Sequence, residues 1–217
     1  MEDYKHKYTG IYGRDYHETR LNHPTVKFSL KTRAGAISSG INEIFPQGVN
    51  FLLDIGSADG LLAEGIREQV AYIYKIICLD LDFNLLGYNP FPATQADSCR
   101  MPFADNSFDV ITAAALIEHL YDPRSFLKEC HRVLRPSGGL FLTCPSPFFE
   151  WLATKLGYLK DAVHVARYNL EDLTIMCEDA HFSVELTRKF MPFPFFFARG
   201  ENRLKMPCRK QVFHFCS

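Results

Sequence analysis

Short apolar runs alternate with helical patterns along most of the chain, and this alternation constrains the fold more than any other feature of the sequence. Such alternation is typical of βα units wound around a parallel sheet. It predicts an α/β fold with a doubly wound, seven-stranded, mostly parallel sheet. The last strand is expected to be antiparallel, because little helical sequence separates the final two strands. The expected strands are residues 51–55, 75–80, 93–96, 108–114, 139–144, 182–190 and 210–216, and the expected helices are residues 61–70, 82–87, 123–134 and 169–180.

Two segments fall outside this alternation. Residues 1–47 form an N-terminal arm with one amphipathic pattern, and residues 145–168 insert extra material after the fifth strand. Ligands of doubly wound sheets bind beyond the carboxyl ends of the strands. We therefore expect both segments to cover that edge, the second as a substrate lid, within a single domain spanning residues 1–217. The helical pattern of the arm places on one side Phe28, Leu30, Ala34, Ile37, Ile41 and Phe45.

Local signals mark where two of the helices begin or end. Asn169 is followed three residues later by Asp172, which predicts a helix start at Asn169. The run RPSGG, residues 135–139, predicts the end of a helix and a turn into the next strand.

The stretch FLLDIGSADG has the features of a strand that ends at a ligand. Asp54 closes the strand. Gly56, Ala58 and Gly60 then alternate through the turn, where small residues let the backbone approach a ligand closely. The G-x-G-x-x-G spacing of a dinucleotide loop is absent, and the carboxylates of Asp54 and Asp59 repel phosphate but suit an ammonium group. An ordinary tight βα turn is the alternative interpretation.

Acidic residues also end the next two predicted strands. Asp80 ends the second strand, where a carboxylate accepts hydrogen bonds from both hydroxyls of a ribose. A helix N-cap is the alternative role, and it fits Asp82 better. Asp97 ends the third strand, where it is placed to accept a hydrogen bond from an exocyclic amine such as that of adenine. With Asp54, these residues predict a ligand that has a ribose, an adenine and a positive centre but no phosphate.

Four motifs then carry a family resemblance: LLDIGSADG, ICLDLD, ADSCRMPFADNSFDVI and LIEHLYDPRSFLKECHRVLRPSGGLFLTCPSP. In order and spacing, these motifs resemble class I S-adenosylmethionine-dependent methyltransferases. The resemblance is to the small-molecule branch (methyltransferase type 11), which includes ubiquinone- and menaquinone-biosynthesis-like enzymes, and it covers residues 48–147. It implies a Rossmann-like fold, S-adenosyl-L-methionine as cofactor and a small-molecule methyl acceptor.

The resemblance also implies roles for individual residues. Asp80 would hold the ribose with Leu81 beside the adenine, and Asp97 with Ser98 would contact the adenine edge. The loop after the first strand would line the methionine part, and Ala114 or Ala115 would lie beneath it. The implied cofactor-binding residues are Asp54, Gly56, Ser57, Ala58, Gly60, Asp80, Leu81, Asp97, Ser98 and Ala114.

The sequence departs from the family pattern at three positions where glycine is common. Ala58 stands in the middle of the cofactor loop, Ser137 in RPSGG, and His181 before the sixth strand. Only Ala58 is expected to touch the cofactor.

Catalytic and substrate-binding residues are expected beyond the fourth strand and in the predicted lid. Methyl transfer from a sulfonium is an in-line displacement, so positioning supplies much of the acceleration. A hydroxyl or carbon-acid acceptor also needs a general base. His119 is the predicted base, with a core or helix-start histidine as the alternative, and Glu118 would help to orient the amino end of the cofactor. His164, Arg167 and Tyr168 are predicted to face the acceptor, with a solvated surface as the alternative.

Aromatic residues outside these motifs have two interpretations each. Tyr4, Tyr8, Tyr12 and Tyr16 would close over the cofactor or decorate the arm, since glycines interrupt any helix before residue 14. The run MPFPFFF, residues 191–197, would border an apolar acceptor pocket or pack against the lid.

Composition excludes several other classes. The chain has 24 Lys and Arg against 25 Asp and Glu, so no basic surplus indicates a nucleic-acid partner. No apolar window reaches the length of a membrane span. The seven cysteines are odd in number and contain no C-x-x-C pair, which predicts a cytoplasmic protein with neither a disulfide framework nor a metal site.

Two competing hypotheses remain open from the sequence. The first is a methyltransferase-like protein that binds the cofactor, or serves as a scaffold, with weak catalysis or none; Ala58 and the lack of a convincing base motivate it. The second is a nicotinamide-dependent oxidoreductase, which the missing diphosphate glycines disfavour. The acceptor, the methylated atom and the oligomeric state are not determined by the sequence.

Overall fold

A computed structural model of the chain describes residues 14–145, 155, 165–189 and 211–216. The helices are α1 (Arg14–Asn22), α2 (Pro24–Ile44), α3 (Leu61–Gln69), α4 (Phe83–Leu86), α5 (Pro123–Val133) and α6 (Leu170–Asp179), with a short 3-10 helix at Ile117–His119. The strands are β1 (Val49–Ile55), β2 (Ile73–Asp80), β3 (Ala93–Gln95), β4 (Phe108–Ala114), β5 (Leu134–Cys144), β6 (Ser183–Lys189) and β7 (Gln211–Cys216). The predicted α/β class is confirmed.

The strands form one sheet in the order β3-β2-β1-β4-β5-β7-β6. The chain runs outward from β1 to β3 and then crosses to β4 on the other side of β1. In register, Asp54 of β1 lies between Cys78 of β2 and Thr112 of β4. This reversal of strand order creates a crevice at the carboxyl ends of β1 and β4, where ligands of such sheets bind.

The sheet has a hydrophobic core on each face because successive side chains of a strand point to opposite sides. Leu52 packs with α2 and α3 on one face, and Leu53 packs with α5 and α6 on the other. Val110 and Ile111 of β4 divide in the same way. These strands are buried on both faces, so they read as continuous apolar runs in the sequence.

The prediction of an antiparallel last strand is wrong. β7 pairs in parallel with both β5 and β6. The prediction rested on the lack of helical sequence between the last two strands. Residues 190–210 separate them, however, and that exceeds the dozen or so residues that a parallel crossover needs.

The prediction for the face of α2 is right for most positions but wrong for Phe28. Ala34, Ile37 and Ile41 are fully buried, whereas Phe28 is 43% exposed. Phe28 and Leu30 are two residues apart, so a helix places them on nearly opposite sides. The helix begins with Pro24 in its first turn, where proline costs no hydrogen bond. Among the helices described here, none is long and apolar enough to cross a membrane.

The far edge of the sheet, at the amino end of β1, is held by Asp109. Its Oδ2 accepts hydrogen bonds from the backbone N–H groups of Asn50 (3.1 Å) and Phe51 (2.8 Å), and its Oδ1 accepts one from Arg135 (2.7 Å). Arg135 belongs to the predicted RPSGG turn. The structure places this run in β5, where the register with β4 shifts between Leu134 and Gly139.

The predicted helix start at Asn169 is confirmed by a complete capping box with Asp172.

All three departures from the family's glycines lie in the left-handed backbone region. Ala58, Ser137 and His181 have φ values of 49°, 63° and 66°. An L-residue with a Cβ is strained there by about 1 kcal/mol or more. At these three positions the backbone therefore adopts a left-handed conformation without a glycine.

Candidate cofactor site

A cleft opens at the carboxyl ends of the central strands, and α1 and α2 form part of its wall. The sheet side contributes Gly56, Ala58, Asp80, Leu81, Asp82, Ala96, Asp97, Ser98, Ala114, Ala115, Leu116 and His119, and the helices contribute Tyr16, Arg20 and Arg33. Carboxylates therefore come from the strand ends and guanidinium groups from the two N-terminal helices. Seven of the ten predicted cofactor residues line this cleft, namely Gly56, Ala58, Asp80, Leu81, Asp97, Ser98 and Ala114.

Asp80 is held by the backbone of the two loops that flank it. Its Oδ2 accepts a hydrogen bond from the N–H of Ala58 (2.8 Å), and its Oδ1 accepts one from the N–H of Asp82 (2.9 Å). Burial raises the pKa of this carboxyl above its usual value, although the two N–H groups act in the opposite direction. Each carboxylate oxygen keeps a second lone pair. Asp80 is thus oriented rigidly and can still accept two hydroxyl groups.

Asp97 and Ser98 line the cleft at the end of β3. Asp97 Oδ1 accepts a hydrogen bond from the N–H of Cys99 (2.8 Å), which orients the carboxylate. Ser98 is buried, and Leu81 adds an apolar side chain to the same wall. Asp82 caps α4 through the N–H of Asn84 (2.9 Å), as predicted, and also borders the cleft.

Asp54 lies behind the lining of the cleft and is almost completely buried, at 1% exposure. Its Oδ1 accepts a hydrogen bond from the Thr112 hydroxyl (2.6 Å), whereas its Oδ2 is buried without a partner. Burial raises the pKa of Asp54 to about 7. A buried carboxylate oxygen without a donor is rare in native proteins. An ammonium group is the kind of ligand that would satisfy it.

The loop after β1 meets the cleft at Gly56 and Ala58 only. A Cβ on Gly56, which has a φ of 70°, would lie 3.1 Å from a methyl of Leu116. Gly60 is required for a different reason, since its Cβ would lie 2.6 Å from Oδ1 of Asn89. Ser57 is buried, and its hydroxyl accepts a weak hydrogen bond from Asn89 (3.4 Å). Of the predicted cofactor residues, Ser57 and Gly60 thus pack against the turn after α4.

Arg33 of α2 is a cleft residue that the sequence reasoning missed. Its Nε is buried without a hydrogen-bond partner. Burial lowers the pKa of Arg33, and the nearby carboxylate of Glu118 partly offsets this effect. Glu118 is itself only 2% exposed. The available signal was a basic residue directly before Ala34, on the side of α2 that the apolar pattern assigns to the core.

Asp59 does not face a ligand, contrary to expectation. Its carboxylate is paired with Arg20 Nε (3.0 Å to Oδ1) and His17 Nδ1 (3.0 Å to Oδ2), both from α1. Arg20 also donates to the Tyr16 hydroxyl (3.3 Å). Burial alone would lower the pKa of Arg20, but Tyr16 and Asp59 outweigh it and raise the value. The acid inside the loop is therefore paired with side chains of α1, and Tyr16, which lies within the described residues, lines the cleft.

The predicted catalytic and substrate residues are distributed unevenly. His119 lines the cleft at the end of the 3-10 helix. Arg167 is exposed, and Tyr168 is half-buried against the core on the α5 and α6 side. His164, Tyr4, Tyr8, Tyr12 and the run 191–197 lie outside the described residues, as does most of the predicted lid.

Metal ligation and disulfides play no visible part in the described portion of the chain. No group of His, Cys, Asp or Glu side chains there could hold a metal ion. Cys78, Cys99, Cys130, Cys144 and Cys177 form no disulfide bond.

The fold and the cleft together define an α/β domain with carboxylates at successive strand ends around one cleft. Residues 53–142 match the family described as "Methyltransferase domain". The central part of the chain is therefore similar to methyltransferase domains.

Two curated relatives of the chain carry methyltransferase names. A probable S-adenosylmethionine-dependent methyltransferase of Mycolicibacterium smegmatis is 30% identical over 143 residues, which cover 63% of this chain and 53% of the relative. A demethylmenaquinone methyltransferase of Corynebacterium urealyticum is 34% identical over 94 residues, covering 41% of this chain and 39% of the relative. The chain thus spans about half or less of the length of these relatives.

Solved structures show the same fold. A SAM-dependent methyltransferase of Thermotoga maritima, described as a possible histamine N-methyltransferase, superimposes with a TM-score of 0.62 at 16% identity. The superposition covers 84% of this chain and 82% of that one. A putative methyltransferase of Bacillus halodurans gives a TM-score of 0.55 at 23% identity, covering 66% and 69% of the two chains.

Proposed function

We propose that this protein transfers a methyl group from S-adenosyl-L-methionine to a small-molecule acceptor. The observation that carries the proposal is the carboxylate of Asp80, held by two backbone N–H groups at the wall of a cleft that Asp97 also lines. When bound, the cofactor supplies an electrophilic methyl group on a sulfonium centre. The chain's own residues bind, orient and shield the reactants.

The nucleoside end of the cleft is assigned to the strand-end acids. Asp80 accepts the two ribose hydroxyls on the lone pairs that its backbone contacts leave open. Asp97 accepts the adenine amine, with Ser98 beside it, and Leu81 covers the face of the base. These residues select a nucleoside without a phosphate, because Asp80, Asp82 and Asp97 would repel one.

The amino-acid end of the cleft is assigned to two charged residues with buried, unsatisfied atoms. Arg33 donates to the carboxylate of the methionine part, and Asp54 neutralises its ammonium group through Oδ2. Both groups are buried without a partner on the atom in question, so a zwitterionic ligand removes two desolvation penalties at once. Gly56, Ala58 and Ala114 supply the small surfaces against which this part packs.

The acceptor side is assigned more coarsely. Relatives named for demethylmenaquinone and ubiquinone biosynthesis act on small molecules, which supports a small-molecule acceptor here. The formal net charge of −1 agrees with an acceptor other than a nucleic acid. His119 is the proposed general base for a hydroxyl acceptor, since its side chain reaches the cleft. His164, Arg167 and Tyr168 stay predictions, with Arg167 weakened by its exposure.

A second candidate function is cofactor binding without efficient catalysis. The observation that favours it is Ala58, whose methyl group narrows the cleft while its backbone is held in the left-handed region. Binding of S-adenosylhomocysteine without turnover across a broad acceptor panel would support this alternative. Turnover of any acceptor would exclude it.

The location and extent of the protein are proposed on separate grounds. Five cysteines of the described residues form no disulfide bond, which favours the reducing cytoplasm. We extend the methyltransferase domain from the matched residues 53–142 to the full range 1–217, because Tyr16, Arg20 and Arg33 of the N-terminal helices line the same cleft.

The test is calorimetric titration with S-adenosylhomocysteine. Wild type should bind, and Asp80→Asn should bind roughly 10- to 100-fold more weakly, because a hydrogen bond to a charged group contributes about 1.5–3 kcal/mol. Asp109→Asn is the matched control, since that carboxylate also accepts two backbone N–H groups but lies at the opposite edge of the sheet. Absence of binding to wild type, or tight binding of NAD instead, would overturn the proposal.

A further inference from the structure

Asp59 is the most completely satisfied carboxylate near the cleft. Its side chain is fully buried, at 0% exposure. Arg20 Nε lies within 3.1 Å of both carboxylate oxygens, His17 Nδ1 lies 3.0 Å from Oδ2, and the N–H of Leu61 approaches Oδ1 at 3.4 Å. Both side-chain partners come from α1, some forty residues earlier in the chain.

This cluster joins two parts of the cleft wall. Asp59 directly follows Ala58, which lines the cleft on the sheet side, while Arg20 and Tyr16 line it from α1. The ring of His17 also stacks on Tyr88, with centroids 4.1 Å apart and an interplanar angle of 14°. One face of α1 is therefore attached to the cofactor loop and to the turn after α4.

The charges explain why a carboxylate is needed at this point. Arg20 and Arg33 both line the cleft, and their like charges repel each other. Asp59 neutralises Arg20 and leaves the charge of Arg33 available for a ligand. A buried guanidinium without its carboxylate is strongly destabilising, so loss of Asp59 would favour release of α1 into solvent.

We propose that Asp59 is a positioning residue that holds α1 over the cofactor cleft. Bound cofactor then dissociates only after the contacts of Asp59 with Arg20 and His17 have broken. The inference rests on the proposed cofactor site. It assigns to the acid in the loop a role in the lifetime of the complex, whereas Asp80 and Asp97 provide recognition. Closure by α1 also keeps the Tyr16 phenol in the cleft wall.

The test combines two measurements on wild type and Asp59→Asn. Amide hydrogen exchange of the ligand-free proteins should show faster exchange in residues 14–22 of the variant and unchanged exchange in β1 and β4. Displacement kinetics should show that S-adenosylhomocysteine dissociates from the variant on the order of tenfold faster, because one partner of a buried ion pair is lost. Asp179→Asn removes the exposed pair with Arg124 (2.7 Å) and should change neither result.

The double variant Arg20→Gln/Asp59→Asn distinguishes a role in retaining the cofactor from a role in fold stability alone. It leaves no unpaired buried charge, so its melting temperature should recover relative to Asp59→Asn while the dissociation rate stays fast. Recovery of both together would overturn the proposal, as would an unchanged dissociation rate or unchanged exchange of α1 in Asp59→Asn. If wild type binds no S-adenosylhomocysteine, the cofactor site itself is refuted, and the exchange data still decide whether Asp59 holds α1.

Discussion

Affinity for the cofactor should depend on pH through Asp54. Burial raises the pKa of this carboxyl to about 7 in the ligand-free protein, and its Oδ2 has no partner. If the ligand's ammonium group pairs with the ionised carboxylate, only the deprotonated protein binds well. The apparent affinity should therefore be constant above pH 7 and fall about tenfold per pH unit below it. Between pH 8 and pH 5 the loss is on the order of 100-fold.

The same linkage predicts proton release. At pH 6.5 about three quarters of the Asp54 carboxyls hold a proton in the free protein. Binding of the ligand should release most of these protons. Titration with S-adenosylhomocysteine in two buffers that differ in ionisation enthalpy measures this number directly. Asp54→Asn keeps the acceptor for the Thr112 hydroxyl but should bind weakly at every pH, with no release from this site.

Stability of the ligand-free protein should change in the opposite direction. A carboxyl whose pKa is raised by folding leaves stability unaffected below its unfolded pKa and lowers it progressively as the pH rises to the folded pKa. The destabilisation by Asp54 therefore builds up between about pH 4 and pH 7 in the ligand-free protein. Above pH 7 it stays at its full size, up to a few kcal/mol. Asp54→Asn should melt higher than wild type at pH 8. A wild-type dissociation constant that stays flat from pH 5 to pH 8 would refute the assignment of Asp54 to the ammonium group.

Two further predictions follow from the left-handed residues and from the cations of the cleft. Ala58→Gly, Ser137→Gly and His181→Gly each relieve strain of about 1–2 kcal/mol but add unfolded-state entropy worth about 0.4–1 kcal/mol; we expect all three to raise the melting temperature slightly. Only Ala58→Gly should also change the affinity for S-adenosylhomocysteine, and an equal change in the other two would contradict the placement of Ala58 in the cleft. Arg33→Ala should weaken the binding of S-adenosylhomocysteine by roughly tenfold or more, as expected for a lost charge-assisted hydrogen bond. The same variant should leave 5′-methylthioadenosine, which lacks the amino-acid part, unaffected in calorimetry.

Much of the sheet side of the cleft was predictable from the sequence because it depends on strand ends. Once the alternation identifies β1, β2 and β3, the topology brings the residues that follow them to one edge, so Asp80, Asp97 and Gly56 are found without knowledge of packing. Local rules also sufficed for the capping box at Asn169. These features need only a few consecutive residues to specify them.

The helical side of the cleft was not predictable in the same way. Arg33 reaches the cleft only because α2 packs against the sheet at a particular rotation, and Asp59 finds Arg20 across a long separation in sequence. The direction of β7 was inferred from the lack of helical sequence before it, which does not determine how a strand pairs. Phe28 was misassigned by a loose reading of the helical period. The Phe28 error was therefore local, whereas the placements of Arg33 and Asp59 depend on tertiary packing, which a pattern along one element does not contain.

The carboxylate of Asp109 has a consequence for how such a protein diverges. It joins the amino end of β1 to β4 and, through Arg135, to the start of β5, at the edge of the sheet opposite the cleft. Strand register is thus specified at one end of β1, while the cleft opens at the other. Substitutions in the loops around the cleft can then alter specificity without shifting the alignment of the strands, so the site has freedom to evolve on a frame that stays unchanged.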